Sequence, residues 1–133
     1  MKKLLTLIFA LAIFALSSQT MAQENMHQEG MIKISIIYPN GEGKTFDMDY
    51  YQEKHMPMVA ELFGEALVGY GIEQGIGGRT PDAPVPYLAM GYFYFKSVEE
   101  FGAAMGPNAL KIREDIPNYT NIEPEVLVSR VIK

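Results

Sequence analysis

The chain has 133 residues, no cysteine, two histidines and a formal net charge of −5 at pH 7. The lack of cysteine excludes disulfides, thiolate metal sites and a cysteine nucleophile, and two histidines are too few for most histidine-based metal sites. An acidic chain without a basic cluster argues against binding to nucleic acid or to an anionic membrane surface.

Residues 1–22 have the three parts of a secretory signal peptide. Two lysines precede an uncharged run from Leu4 to Leu16, and small residues such as Ala22 lie at the end. We expect cleavage after Ala22 and a periplasmic or secreted protein that is not attached to the membrane. The alternative is an uncleaved anchor, although the run is shorter than the roughly 20 residues of a membrane-spanning helix.

Residues 23–30 are polar and without pattern, which predicts a flexible linker in which His27 is solvated. Residues 31–133 then form a single domain of about 100 residues. Its first strand is predicted at 31–38, where an isoleucine-rich run ends at a Pro-Asn-Gly turn.

The first helix is predicted to begin at Asp47, a good N-cap. Apolar side chains and His55 recur behind it at steps of three or four, on one helical face. Pro57 lacks a backbone donor, so we expect it to kink or divide this helix near Met56.

The second half of the domain is predicted to contain three more strands and a second helical region. Residues 68–77 are rich in glycine and predict a twisted or bulged strand. Residues 87–95 predict a third strand, and Ser97 with Glu100 three residues later opens a second helix. A further helical stretch is predicted at 108–115, followed by a last strand at 125–133.

The order β-α-β-β-α-β predicts an α+β, ferredoxin-like domain with a four-stranded antiparallel sheet and both helices on one face. The other face of the sheet needs cover. Two such domains commonly pack their sheets together as a dimeric α+β barrel that encloses a cavity. We expect a homodimer of this kind because residues 87–95 offer apolar or aromatic side chains to both faces.

Four segments resemble the EthD family, named for ethyl tert-butyl ether degradation. They are FDMDYYQEKHMPM at 46–58, MIKISIIYPN at 31–40, PVPYLAMGYFYF at 84–95 and IPNYTNIEP at 116–124. The resemblance covers residues 31–133 and implies the dimeric α+β barrel. Many members of the family are labelled reductases, which would make the protein an oxidoreductase, and some fungal relatives look like dehydratases or decarboxylases of polyketides.

His55 is the main candidate for catalysis because a histidine titrates near neutral pH. Tyr51, four residues earlier, shares its helix face, and Asp49 could reach it around the helix. These residues, with a small apolar, aromatic or polyketide-like substrate in the cavity, predict acid–base chemistry. The family's histidine at this place supports a functional role for His55.

Three further tyrosines are candidate substrate-binding residues. Tyr92 and Tyr94 share the parity of the third strand that we assign to the cavity, whereas Ala89 and Gly91 suit close helix packing. Tyr50 is the third candidate. Each of these tyrosines could equally be a packing residue.

No cofactor is expected. The glycines of residues 71–78 lack the G-x-G-x-x-G order and no phosphate-binding loop follows, so nicotinamide, flavin and nucleotide sites have no local support. Export would also separate the protein from cytoplasmic oxygenases and reduced nicotinamides. Alternatives to an enzyme remain open: His55 as a satisfied core histidine, a non-catalytic ligand-binding or accessory protein of a degradation pathway, and a structural subunit.

Overall fold

The computed structural model of the protein describes residues 26–133, so the predicted signal peptide at 1–22 and the first linker residues lie outside the described residues. Four strands form one sheet in the order β2-β3-β1-β4, and all neighbours are antiparallel. This confirms the predicted ferredoxin-like α+β fold. The strands are β1 (Ile32–Pro39), β2 (Gly69–Gln74), β3 (Tyr87–Phe95) and β4 (Glu125–Arg130).

The first helical region begins at its predicted N-cap. Asp47 Oδ1 accepts a hydrogen bond from the backbone N–H of Tyr50 at 3.0 Å, at the start of α1 (Met48–Tyr50). A π-helical segment (Tyr51–His55) follows and leads into α2 (Met56–Phe63). The change from π to α hydrogen bonding falls at Met56, where Pro57 was predicted to divide the helix, because proline offers no backbone N–H.

The second helical region also begins as predicted. Ser97 Oγ accepts the backbone N–H of Glu100 at 3.1 Å and caps α3 (Val98–Met105). A 3₁₀ turn (Gly106–Asn108) joins it to α4 (Ala109–Asp115), and a second 3₁₀ turn (Ile116–Asn118) leads toward β4.

The core lies between the helices and one face of the sheet. Phe63 of α2 packs edge-on against Phe93 and Phe95 of β3, with ring centroids 5.2 and 5.4 Å apart. Odd-numbered residues of β3 therefore face the helices, and the register pairs Phe93 with Ile34 of β1. Ala89 and Gly91 lie on this same face, as expected for close helix packing.

The outer face of the sheet carries Tyr92 and Tyr94. The Lys33 Nζ lies 4.4 Å from the centroid of the Tyr92 ring, and His27 Nδ1 lies 2.8 Å from the Tyr94 hydroxyl. His27 is exposed, as predicted for a linker residue, yet this contact and the 2.8 Å bond from Gly30 N–H to the Val131 carbonyl hold residues 26–30 against the sheet.

Candidate functional site

A cavity of about 160 Å³ lies between the sheet and the helices, on the side where the core is packed. Its wall is apolar except for three side chains, Tyr38, Tyr51 and His55, which therefore supply its only polar side-chain atoms among the described residues. Val126 on the edge strand β4 also lines it and is 60% exposed, which marks the side nearest solvent. The remaining lining residues are Ile34, Ile36, Met56, Val59, Phe63, Phe93, Phe101, Met105, Ile112, Ile116 and Pro124.

His55 ends the π-helical segment and is paired with Asp115, the last residue of α4. His55 is 4% exposed, and its Nδ1 lies 2.8 Å from Asp115 Oδ2. The second oxygen, Oδ1, accepts hydrogen bonds from the Tyr50 hydroxyl at 2.8 Å and from Asn118 Nδ2 at 3.0 Å. Asp115 is thus held in place from both sides, and it holds one ring nitrogen of His55.

The electrostatics of this pair favour a neutral imidazole beside an ionised carboxylate. Burial lowers the pKa of His55 below its ordinary value, although the hydrogen bond and charge of Asp115 act in the opposite direction. Partial burial raises the pKa of Asp115, but the hydrogen bonds from His55, Tyr50 and Asn118 together bring it below its ordinary value. At neutral pH, Nδ1 of His55 therefore carries the proton and Nε2 is a hydrogen-bond acceptor.

Two tyrosines continue the network from Nε2 of His55, and a third packs against them. The Tyr119 hydroxyl lies 3.3 Å from Nε2 and 2.7 Å from the Tyr38 hydroxyl. The Tyr51 ring lies edge-on to the Tyr38 ring, with centroids 5.5 Å apart. Burial raises the pKa of all three phenols well above the ordinary value of a tyrosine, so all three remain protonated.

The Tyr51 hydroxyl reaches this position because β3 has a glycine beneath it. A Cβ at Gly91 would overlap the Tyr51 hydroxyl and would lie 3.1 Å from Met56 Cε. The ring of Tyr51 also stacks on His55, with centroids 5.6 Å apart and planes 15° apart. A glycine in the middle of the strongest predicted strand is therefore a close-approach position for the site.

The fold brings some of the predicted site residues together and leaves Asp49 out. His55 and Tyr51 share the site, and Tyr50 reaches it through Asp115. Asp49 is exposed, and its carboxylate lies 3.5 Å from Gln52 Nε2. Asp49 faces solvent, whereas His55 faces the core, so the two side chains point to different sides of this helical region.

The sheet separates the other two predicted residues from His55. Tyr92 and Tyr94 lie on the outer face, whereas His55 lies on the helix side with Gly91. The sequence placed all of them around one barrel cavity, and the structure corrects that placement. The apolar face of a helix must meet the sheet face that the helices cover, so His55 cannot share a cavity with the opposite parity of β3.

The sequence reasoning missed Asp115, Tyr119, Tyr38 and Asn118. Tyr119 and Asn118 lie in IPNYTNIEP, one of the family-like segments, and Tyr38 has the buried parity of β1. Asp115 gave no signal of its own, because 60 residues separate it from His55.

Two other kinds of feature are absent from residues 26–133. No group of three or more histidine, cysteine, aspartate or glutamate side chains is arranged to hold a metal ion in this part of the chain. None of the helices described there is long and apolar enough to cross a membrane.

Comparison with known proteins gives one family and several similar structures. The family model described as EthD domain matches residues 40–123. An EthD-like protein from Ralstonia eutropha JMP134 has a solved structure that is 42% identical, with a TM-score of 0.75 over 80% of this chain and 96% of that one. No curated protein matches the chain.

Two other solved structures are similar at low identity. An ethyl tert-butyl ether degradation (EthD) family protein from Bacillus halodurans C-125 is 16% identical, with a TM-score of 0.49 over 71% of this chain and 96% of that one. A dimeric protein of unknown function with a ferredoxin-like fold, from Bacteroides fragilis NCTC 9343, is 9% identical, with a TM-score of 0.44 over 77% of this chain and 97% of that one.

Proposed function

The chain belongs to the EthD family, and from that premise we propose that it binds a small, largely apolar molecule in the cavity and transfers a proton to or from it at His55. The observation that carries the proposal is the His55–Asp115 pair, 2.8 Å apart, at an otherwise apolar cavity. No cofactor takes part in this proposed chemistry.

The size of the cavity limits the ligand. A cavity of about 150 Å³ lined by apolar side chains is known to hold benzene, and this one has about 160 Å³. It therefore suits a molecule with a single ring, or a chain of similar bulk. An aromatic or alicyclic compound fits better than an extended polyketide.

The chemistry follows from the protonation states. Asp115 fixes the tautomer and orientation of His55 and would stabilise the imidazolium formed when His55 takes up a proton. The apolar surroundings strengthen this charge pair because little water screens it. His55 would act as general base or acid, and the tyrosine hydroxyls would connect it to the bound molecule.

Deuterium uptake from D₂O tests the proposal for any ligand that exchanges a proton at carbon. Native mass spectrometry of the purified protein would report a retained small molecule, which is then extracted and identified. That molecule is incubated in D₂O with the wild type and with His55→Gln, and deuterium bound to carbon is measured by mass spectrometry. We expect uptake with the wild type that His55→Gln reduces at least about 100-fold.

His27→Gln is the matched control, because it removes the chain's other histidine on the opposite face of the sheet. It should leave uptake unchanged. Equal uptake in the wild type and in His55→Gln would refute a catalytic role for His55.

A non-catalytic binding or accessory protein is the second candidate. It is favoured by the complete hydrogen bonding of the site: within residues 26–133 every buried side-chain nitrogen and oxygen has a partner, and Tyr119 already occupies Nε2 of His55. Retention of the molecule without any deuterium uptake would support this function instead.

Export and dimerisation are part of the proposal as well. Residues 1–22 would direct the protein to the periplasm or the exterior, and two outer sheet faces would pack as a barrel. Leu127, which shares the outer face with Tyr92 and is 54% exposed, would be covered by that contact. N-terminal sequencing of the exported protein and its native mass would test these two points.

A further inference from the structure

Both ring nitrogens of His55 are in contact with other side chains of the protein. Nδ1 lies 2.8 Å from Asp115 Oδ2, and Nε2 lies 3.3 Å from the Tyr119 hydroxyl. A neutral imidazole has one N–H and one lone pair, so these two contacts use both of them. A molecule in the cavity therefore cannot exchange a proton directly with His55 unless Asp115 or Tyr119 moves away.

Tyr119 is fixed in this position by its surroundings. It is 3% exposed, and its carbonyl accepts the Asp47 N–H at 2.7 Å while its own N–H donates to the Ile116 carbonyl at 3.1 Å. Its ring packs against five other rings, with centroids 4.5 to 6.2 Å apart, which belong to His55, Tyr51, Phe46, Tyr38 and Tyr50. A ring packed in this way has no free space to rotate into, so Nε2 of His55 stays covered.

The hydrogen bonds from Asp115 to the cavity wall run in one direction. The ionised Asp115 can only accept, so Nδ1 of His55 donates to it and Nε2 accepts from the Tyr119 hydroxyl. The Tyr119 oxygen, whose hydrogen is then engaged, accepts from the Tyr38 hydroxyl 2.7 Å away. Tyr38 lines the cavity, whereas Tyr119 does not. Tyr38 is therefore the end of this chain that a bound molecule can meet.

We propose that Tyr38 is the catalytic residue that contacts the bound molecule, and that His55 takes up or returns the proton through Tyr119 and Tyr38. This relay rests on the proposed function, since it needs a molecule in the cavity that exchanges a proton. It also reconciles proton transfer at His55 with the occupied ring nitrogens, because a relay requires the hydrogen bond that Tyr119 makes to Nε2.

Three hydrogens move in the proposed step. The bond between the molecule and its acidic hydrogen breaks, the electron pair stays on the molecule, and the proton bonds to the Tyr38 oxygen. The Tyr38 hydrogen passes to the Tyr119 oxygen, and the Tyr119 hydrogen passes to Nε2 of His55. Both tyrosines are neutral before and after the step, and the positive charge ends on an imidazolium beside Asp115. The reverse sequence returns a proton to the molecule.

Cyclohexanone is the probe for the test, because it has a single ring, no charge and exchangeable hydrogens beside its carbonyl. Its Kd is measured by NMR titration, and its uptake of deuterium at carbon in D₂O is measured by mass spectrometry. We expect Tyr119→Phe to reduce uptake at least about 100-fold, as His55→Gln does, with a Kd within about three-fold of the wild type. The phenylalanine ring would keep Nε2 covered but could not pass on a hydrogen.

The double variant of His55→Gln with Tyr119→Phe separates a relay from a structural effect. Residues that act as a unit are not additive, so the double variant should lose no more uptake than either single variant. Tyr38→Phe breaks the chain at the cavity and should lose as much. Tyr94→Phe is the matched control, because Tyr94 is also a buried tyrosine but lies on the outer face, and it should keep the wild-type uptake.

The possible failures of the relay and of the proposed function are distinct. Uptake by Tyr119→Phe within about three-fold of the wild type would overturn the relay and leave direct contact between His55 and the molecule. Additive losses in the double variant would also overturn it, as would an Nε2–H tautomer of His55 in long-range ¹⁵N–¹H NMR spectra of the wild type. No uptake with the wild type would overturn the relay and the proposed function together.

Discussion

Replacing Gly91 with alanine is expected to destabilise the fold, although alanine normally stabilises a strand relative to glycine. The added Cβ would overlap the Tyr51 hydroxyl and lie 3.1 Å from Met56 Cε. Tyr51 is 1% exposed and its ring is stacked on His55, so the hydroxyl cannot swing away without moving its neighbours. Tyr51 and the side chains packed against it would therefore have to shift.

The magnitude follows from two contributions. Overpacking of a core costs about 1–3 kcal/mol, and the upper half of that range applies because the added Cβ would overlap the Tyr51 hydroxyl. The lower entropy of the unfolded alanine chain offsets about 0.5–1 kcal/mol of this. We expect a net loss of about 1–2.5 kcal/mol and a Tm lower by at least about 4 °C, measured by urea and thermal unfolding.

Two comparisons isolate the cause. Gly102→Ala makes the same chemical change in α3, where an added Cβ meets nothing within 4 Å, and it should stabilise the protein by up to about 1 kcal/mol. In a Tyr51→Phe background the overlapping oxygen is gone, so Gly91→Ala should cost at least about 1 kcal/mol less than in the wild type. A neutral Gly91→Ala, or an equal cost in both backgrounds, would refute the reasoning.

The remaining predictions concern the charged pair and a helix cap. Because the pKa of His55 is lower in the folded protein than in the unfolded chain, protonation favours unfolding, and stability should fall as the pH drops below about 6.5. Urea unfolding across this range should show a weaker dependence in His55→Gln, and an identical dependence would contradict the assignment. Asp115→Asn removes the charge that raises the pKa of His55, so NMR titration should find that pKa lower still; a rise would show that the Asp115 carboxylate does not act on the ring. Ser97→Ala removes the acceptor for the Glu100 N–H and should cost about 1 kcal/mol in thermal unfolding, and an unchanged Tm would contradict the role of this cap.

Much of the fold was readable from local patterns. Residues 87–95 were predicted as a strand and form β3 over the same range, because alternation and flanking turn residues act within a few positions. Asp47 and Ser97 cap their helices as predicted, since a cap needs only the backbone N–H three residues later. The order of the elements then determined the ferredoxin-like topology.

The candidate site was only partly predictable, because some of its contacts join residues that are far apart in the sequence. His55 and Tyr51 were found because they are four residues apart on one helix. Asp115 was not, because 60 residues separate it from His55 and only the packing of α4 beside the π-helical segment brings the two together. The sequence suggested Asp49 as the carboxylate beside His55, whereas the structure places Asp115 there.

The sequence by itself indicated the family by resemblance, the order of strands and helices along the chain and the two parities of β3. Only the tertiary structure decided that His55 shares the helix side with Gly91, that Tyr92 and Tyr94 lie on the opposite face, and that Tyr119 joins His55 to Tyr38. The physical reason is the separation along the sequence over which each interaction acts. Helix caps and strand alternation are set within a few residues. The partner of a buried polar side chain is set by which distant elements the core brings into contact.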